Sequence, residues 1–187
     1  YEAKKAELEQ AQAKIAASAR RAKELEESAK AMNSLLDRIA QAGRWRKVGP
    51  TATLAIAKHS LPWPMEGPIL RGFGREKDPE LGTWTVHQGL LIGARSAELV
   101  TAVSAGHLIF AGPFRSYGRV VILDHGGGFL SVYGGLGEIL KTKGSNVRAG
   151  EEIARSGESK DGPGGRVYLE IRRGTEALDP QAWLQRR

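Results

Sequence analysis

Arg166-Val167-Tyr168-Leu169-Glu170-Ile171-Arg172 follows the run Gly162-Pro163-Gly164-Gly165. Apolar and polar residues alternate in it, and branched and aromatic side chains are frequent. With glycine-rich punctuation in front, this is the pattern of a buried strand. Side chains alternate across a strand, so Arg166, Tyr168, Glu170 and Arg172 look the same way. A strand that enters from a glycine loop is a good mount for chemistry.

The same texture extends upstream to Leu61-Pro62-Trp63-Pro64. Candidate strands are Pro68–Phe73, His87–Ile92, Glu98–Ala102, His107–Ala111, Gly118–Asp124, Phe129–Tyr133, Glu152–Ala154 and Arg166–Arg172. Turn residues separate them, among them Gly82, Gly93, Gly106, Gly112-Pro113, Gly126-Gly127-Gly128 and Gly144-Ser145. Short strands at this spacing read as an all-β sandwich or barrel. In the tail, Asp179 followed by Pro180 reads as the N-cap and first position of a short closing helix.

Residues 1–43 are different. Proline is absent, glycine first appears at Gly43, and Ala, Glu, Lys and Arg dominate. Leu8, Ile15, Ala22, Ala29 and Leu36 form one set seven apart; Ala11, Ser18, Leu25, Met32 and Ile39 form the other. These are the a and d positions of a heptad, which predicts a long coiled-coil helix whose partner helix the sequence does not supply. Gly43 reads as its C-terminal stop. Residues 44–62 read as a linker holding the basic patch Arg44-Trp45-Arg46-Lys47 and an apolar piece, Leu54–Ala57, that is expected to dock on something. Residues 63–187 form the β-domain. The helix is either a spacer or a cover for an apolar groove in the same chain.

The formal charge of +7 over 187 residues favours anionic partners, although a soluble basic protein would look the same. The basic residues are scattered, which speaks against nucleic acid as a partner. There is no cysteine, so disulfides and thiolate metal sites are excluded. No apolar run of about 18 residues exists that could span a membrane as a helix. The chain starts at Tyr1 without Met, and the expectation is a fragment whose targeting segment lies outside it.

Three stretches carry a resemblance. They are His87-Gln88-Gly89-Leu90-Leu91-Ile92-Gly93-Ala94, then Ser104–Gly112 with Ser116–Gly126, and then Val147–Gly157 leading into Pro163–Arg172. In order and spacing they resemble the LytM, or lysostaphin-type, zinc endopeptidase domain, over roughly residues 63–187. The resemblance implies a compact, mostly antiparallel β-fold with a long groove over the sheet. In active members the first motif reads His-x-Gly-x-Asp, and its His and Asp bind zinc. Here His87 is kept and Leu91 stands at the Asp position. The last motif reads His-x-His-x-Glu, and here Arg166 and Tyr168 stand at its histidines. A further catalytic His follows a Tyr by two residues, where this chain has Tyr133-Gly134-Gly135.

The chemistry of that departure stands by itself. Catalytic zinc takes about three protein ligands and leaves one position to water. One imidazole among Leu91, Arg166 and Tyr168 is too few, and without zinc no neutral-pH hydroxide forms. No Gly-x-Ser-x-Gly elbow is present, and Asp124 with His125 reads as a surface-turn pair, not a dyad. His59 reads as solvated, and His107 as a hydrogen-bonded structural residue. The expectation is no catalysis, no metal and no cofactor. An active zinc peptidase with unrecognised ligands remains the contrary case.

A degenerate LytM domain behind a coiled coil resembles the EnvC-type murein hydrolase activators of Gram-negative bacteria, as do Glu170-Ile171-Arg172-Arg173 and the ending Asp179-Pro180-Gln181-Ala182-Trp183-Leu184. That resemblance implies a periplasmic protein that activates N-acetylmuramoyl-L-alanine amidases in cell division. It also implies a coiled coil joined to an FtsEX-type membrane complex. By motif position the groove contacts are Leu91, Tyr117, Val120, Tyr133 and Arg172, and the degenerate metal and catalytic positions are His87, Leu91, Gly135, Arg166 and Tyr168. Tyrosine and arginine around a small apolar centre is the composition of an interface hot spot. A peptidoglycan-binding module is the alternative.

Overall fold

The computed structural model describes residues 2–42, 56–159 and 162–187. Gly43, the patch Arg44–Lys47, and Leu54 with Ala55 lie outside the described residues. Ile56, from the same apolar piece, packs against the core.

Helix α1 spans Glu2–Gln41. Its composition of strong helix formers without Gly or Pro accounts for its length, and Glu2 in the first turn with Arg38 in the last suits the helix dipole. The heptad seam does not meet another helix. From Ser18 onward it faces the β-domain, and Ser28, Met32 and Leu36 are buried there. Leu8 and Ile15, from the first two heptads, are 59% and 50% exposed. The coiled-coil expectation is thus corrected for this half of the helix: a narrow apolar stripe packs on any complementary apolar surface, and here that surface is a sheet.

Twelve strands follow: β1 (Ile69–Arg71), β2 (Gly74–Lys77), β3 (Trp84–His87), β4 (Leu90–Ala94), β5 (Leu99–Thr101), β6 (Gly106–Pro113), β7 (Arg119–Gly126), β8 (Phe129–Ile139), β9 (Asn146–Val147), β10 (Glu152–Glu158), β11 (Gly165–Arg173) and β12 (Glu176–Leu178). Ten of them form one sheet running β1-β4-β11-β10-β8-β7-β6-β9, with β5 on β10, β12 on β11, and β11 also on β8. The ladders between these strands are antiparallel. β2 and β3 form a separate hairpin.

The mainly antiparallel β-fold behind a long helix is the fold class expected from the sequence. Several strand bounds differ. The expected strand His87–Ile92 is two strands, because Gly89 crosses the backbone of Leu169 so closely that an added Cβ would sit 2.3 Å from its carbonyl oxygen. The stretch Pro68–Phe73 contributes only Ile69–Arg71, and the pairs Phe129–Tyr133 and Glu152–Ala154 lengthen into β8 and β10. The closing helix is a single 3-10 turn, Pro180–Ala182, with the Asp179 side chain accepting from the Gln181 backbone as expected of a cap.

β11 separates two apolar clusters. Val167, Leu169 and Ile171 point into the larger one, with Leu90, Ile92, Val121, Leu123, Tyr133 and the bridged pair Leu61 and Leu184. On the other side of the sheet, Ile109, Val120, Ile122, Leu130 and Val132 pack against Met32 and Leu36 of α1. The sheet is therefore apolar on both faces, and α1 covers one of them.

Candidate functional site

The polar face of β11 and the end of β4 build the groove. Register places Leu91 of β4 directly opposite Tyr168 of β11, with Gly134 of β8 on the far side of Tyr168. Gly134 passes close to the Tyr117 backbone, since a Cβ there would stand 3.1 Å from its carbonyl oxygen, with the Tyr168 ring in ordinary contact at 3.4 Å. The 3-10 turn Arg115–Tyr117 between β6 and β7 brings Tyr117 edge-on to Tyr168, with ring centroids 5.5 Å apart.

Glu170 is the hub of this face. It is fully buried, and its Oε1 accepts from Tyr168 OH at 2.7 Å and Tyr117 OH at 3.1 Å. Its Oε2 accepts from Arg172 Nε. Burial, then the Glu170 charge, pushes both tyrosines well above the ordinary range, so they remain hydroxyl donors. Arg172 is 1% exposed, and its Nη1 donates to Asn33 Oδ1 of α1 at 2.8 Å and to Thr175 O at 2.7 Å.

α1 lies over this face. Ser116 Oγ donates to Ser28 Oγ at 2.6 Å, and Met32 and Leu36 seal the apolar floor that includes Val120. Toward the helix N-terminus the fit opens into a cavity of about 980 Å³ between α1 and the residues His87, Leu91, Tyr117, Gly135, Arg166 and Tyr168. The degenerate positions named from the sequence therefore converge on one space beneath α1.

Leu91, Tyr117, Val120 and Arg172 also belong to this face. Tyr133 does not. It is fully buried on the opposite side of the sheet, where its hydroxyl accepts from Val103 N at 2.9 Å and lies 3.0 Å from Ser131 Oγ. Strand alternation explains this: Tyr133 is one residue from Val132, which is on the α1 side. Burial raises the Tyr133 hydroxyl to about 12.

Asp124 and His125 are corrected as well, since both are buried and not on a surface turn. His125 Nδ1 lies 2.7 Å from Ala105 O and its Nε2 2.7 Å from Ser131 Oγ. His107 has a structural bond to Asn146 Oδ1 at 2.8 Å, and His59 is exposed, as the sequence suggested.

The donor set does not fit a catalytic metal. His87 offers one imidazole, with Nε2 3.0 Å from Glu76 Oε2, and burial followed by the Arg71 charge lowers its proton affinity. Leu91 presents only carbon, and Tyr168 is committed to Glu170. Among the described residues no group of three or more His, Cys, Asp or Glu is placed to hold a metal ion. Gly135 has φ +66°, a left-handed conformation that disfavours any histidine there.

The α1 residues on the groove, Ser28, Met32, Asn33 and Leu36, were not foreseen as site residues. The seam at Met32 and Leu36 was visible as a helix-packing signal, but the sequence does not say what the seam packs on. Asn33 had no signal.

The chain matches the model of Peptidase family M23 over residues 85–180. It is 38% identical over 136 residues to the murein hydrolase activator EnvC of Escherichia coli, covering 73% of this chain and 32% of that protein. It is 28% identical over 126 residues to the murein hydrolase activator NlpD of the same organism, covering 67% and 31%. The chain thus spans about a third of the length of these curated relatives. Among solved structures, a putative peptidase M23 from Pseudomonas aeruginosa superposes with a TM-score of 0.60 at 24% identity, covering 79% of this chain and 59% of that one; this likeness shows the fold.

Proposed function

The chain belongs to Peptidase family M23, and we propose that it is a non-catalytic activator of periplasmic N-acetylmuramoyl-L-alanine amidases in cell division. The observation that carries this reading is Leu91 beside Tyr168, at the positions that the zinc ligands occupy in the family this chain resembles, in a groove that seats α1. The relatives named murein hydrolase activators support the same reading. Residues 63–187 act as the amidase-binding domain. The N-terminal helix and the linker 44–62 connect it to an FtsEX-type complex in the envelope of a Gram-negative bacterium.

In this reading the groove receives a helix of the amidase that otherwise blocks the amidase's own zinc. An activator shifts that equilibrium only by its preference for the open form. A hundredfold shift of a small open population takes roughly 3 kcal/mol of preference. α1 serves as the autoinhibitory element. It occupies the seat in cis, at the high effective concentration of a tethered segment, so the amidase helix must compete for it.

An amidase dye-release assay with and without the chain tests this. Stimulation is expected to rise when Met32→Glu loosens α1 and to fall when Leu91→Lys alters the groove. If both variants stimulate like the wild type, the groove assignment is wrong.

One observation favours peptidoglycan as a second ligand. On the β2–β3 hairpin, at the rim of the same cavity, Trp84 is 55% exposed, with Arg75 Cζ 4.8 Å and Lys77 Nζ 5.9 Å from its ring centroid. An aromatic face with cations suits a glycan that carries carboxylates. Loss of sedimentation with purified sacculi in Trp84→Ala, with amidase stimulation retained, would separate the two ligands.

A further inference from the structure

We propose that the helix which displaces α1 presents a carboxylate to Arg172, where α1 presents the carboxamide of Asn33; this rests on the groove reading above. Arg172 is unevenly satisfied. Nε is held by Glu170 and Nη1 by Asn33 and Thr175, whereas Nη2 has no hydrogen-bond partner among the described residues, although the side chain is 1% exposed. A buried donor of this kind is costly to leave unmade.

Glu170 cannot complete the set. Two tyrosine hydroxyls hold its Oε1, and Arg172 Nε already holds its Oε2. Asn33 cannot complete it either: its carboxamide has one acceptor oxygen, and the other half of the group is a donor. A carboxylate has two acceptor oxygens in the plane of the guanidinium fork and can take Nη1 and Nη2 together. Asn33 is itself exposed, so an acid at its place keeps water on its outer side and avoids most of the burial penalty of an ion pair.

The seat also fixes where the acid lies on the incoming helix. Ser28, Met32 and Leu36 follow one another at four-residue steps along α1, and Asn33 is next to Met32. Ser28 meets Ser116, and Met32 and Leu36 meet the floor of Ile109, Val120, Ile122, Leu130 and Val132. A competing helix therefore carries a small residue, three arbitrary ones, an apolar residue, an acid, two arbitrary ones and a second apolar residue. The acid gives it a contact that α1 lacks, which is how an untethered helix can compete with a tethered one.

The test is made in the intact chain, because position 33 is exposed and tolerates substitution. Backbone hydrogen exchange of α1 over residues 28–41 is compared at low salt for the wild type, Asn33→Asp and Asn33→Lys. Asp is expected to slow exchange about fivefold or more and Lys to speed it. The Asp gain is expected to vanish with Arg172→Lys, which has a charge but no fork. Equal or faster exchange in Asn33→Asp overturns the proposal, and so does a gain that survives Arg172→Lys. No amidase enters this measurement, so its outcome is independent of the activator reading. In the dye-release assay, Asn33→Asp should stimulate less than wild type; a failure confined to that assay counts against the activator reading.

Discussion

Glu170 and Arg172 are paired two residues apart on one face of β11, both buried, with the Arg172 Nε on the Glu170 Oε2. The pair sits between the degenerate metal positions and the residues of α1. It joins the part of the groove lined by Leu91 and Tyr168 to the part that holds a helix.

Removing one partner of this pair should be much worse than removing both. Glu170→Ala leaves a buried guanidinium uncompensated and is expected to cost about 3–5 kcal/mol in urea denaturation. The double variant Glu170→Leu with Arg172→Met should recover most of that loss, because an apolar pair carries no buried charge. Equal losses in the single and double variants would mean that packing dominates here, with the charges contributing little.

The seam of α1 divides into a used and an unused half, and truncations should report it. Met32→Ala and Leu36→Ala remove fully buried side chains and should each cost about 2–5 kcal/mol of α1 docking, read as faster exchange of the helix amides. Leu8→Ala and Ile15→Ala act at residues 59% and 50% exposed and should stay within about 0.5 kcal/mol. A large effect at Ile15 would instead indicate that this half packs on something in solution.

How much of this was legible depends on whether a signal is local. Alternation in Val167–Ile171 gave β11 and the shared face of Arg166, Tyr168, Glu170 and Arg172, because a period of two survives any tertiary context. The hairpin of β2 and β3 was missed because Gly-Arg-Glu-Lys has no apolar residue to alternate and is stabilised by its neighbours. Tyr133 was placed in the groove from its motif position, while the pleat of β8 sends it to the core. Ser28 and Asn33 are polar residues on a helix, and only the docked position of α1 gives them partners.

Stability should fall as the solution becomes mildly acidic, through His125. Burial holds this imidazole below its ordinary value of 6.5. Its Nδ1–H donates to Ala105 O, so in the neutral ring Nε2 is an acceptor, 2.7 Å from Ser131 Oγ. A proton on Nε2 would turn that acceptor into a donor. Because the folded value is depressed, the contribution is fully present above 6.5 and is lost as the pH falls below it toward the folded value. Asp124, whose buried carboxyl is raised from 3.8, contributes the opposite slope, starting above 3.8. Thermal melts from pH 8 to 5.5 should show a falling midpoint in the wild type and a flatter curve in His125→Asn. Parallel curves would assign the slope to other groups.

Placing donors at the two opposed positions should create a metal site without creating cleavage. Leu91 and Tyr168 face each other across β4 and β11, and His87 lines the same cavity. Leu91→Asp with Tyr168→His would therefore supply an Asp and two His, the three-ligand number of a catalytic zinc. Glu76, 3.0 Å from His87 Nε2, would have to release that nitrogen or leave Nδ1 to bind. Arg71, opposite Leu91 on β1, and Arg166 on the same face of β11 oppose a cation by charge, so affinity should rise further with Arg71→Gln. Metal analysis after dialysis against zinc should approach one ion per chain in the double variant and stay far lower in the wild type. Cleavage of peptide cross-links is not expected from the double variant, since Gly135 supplies no imidazole. If the double variant binds no zinc, then Leu91 and Tyr168 are not aimed at a common point.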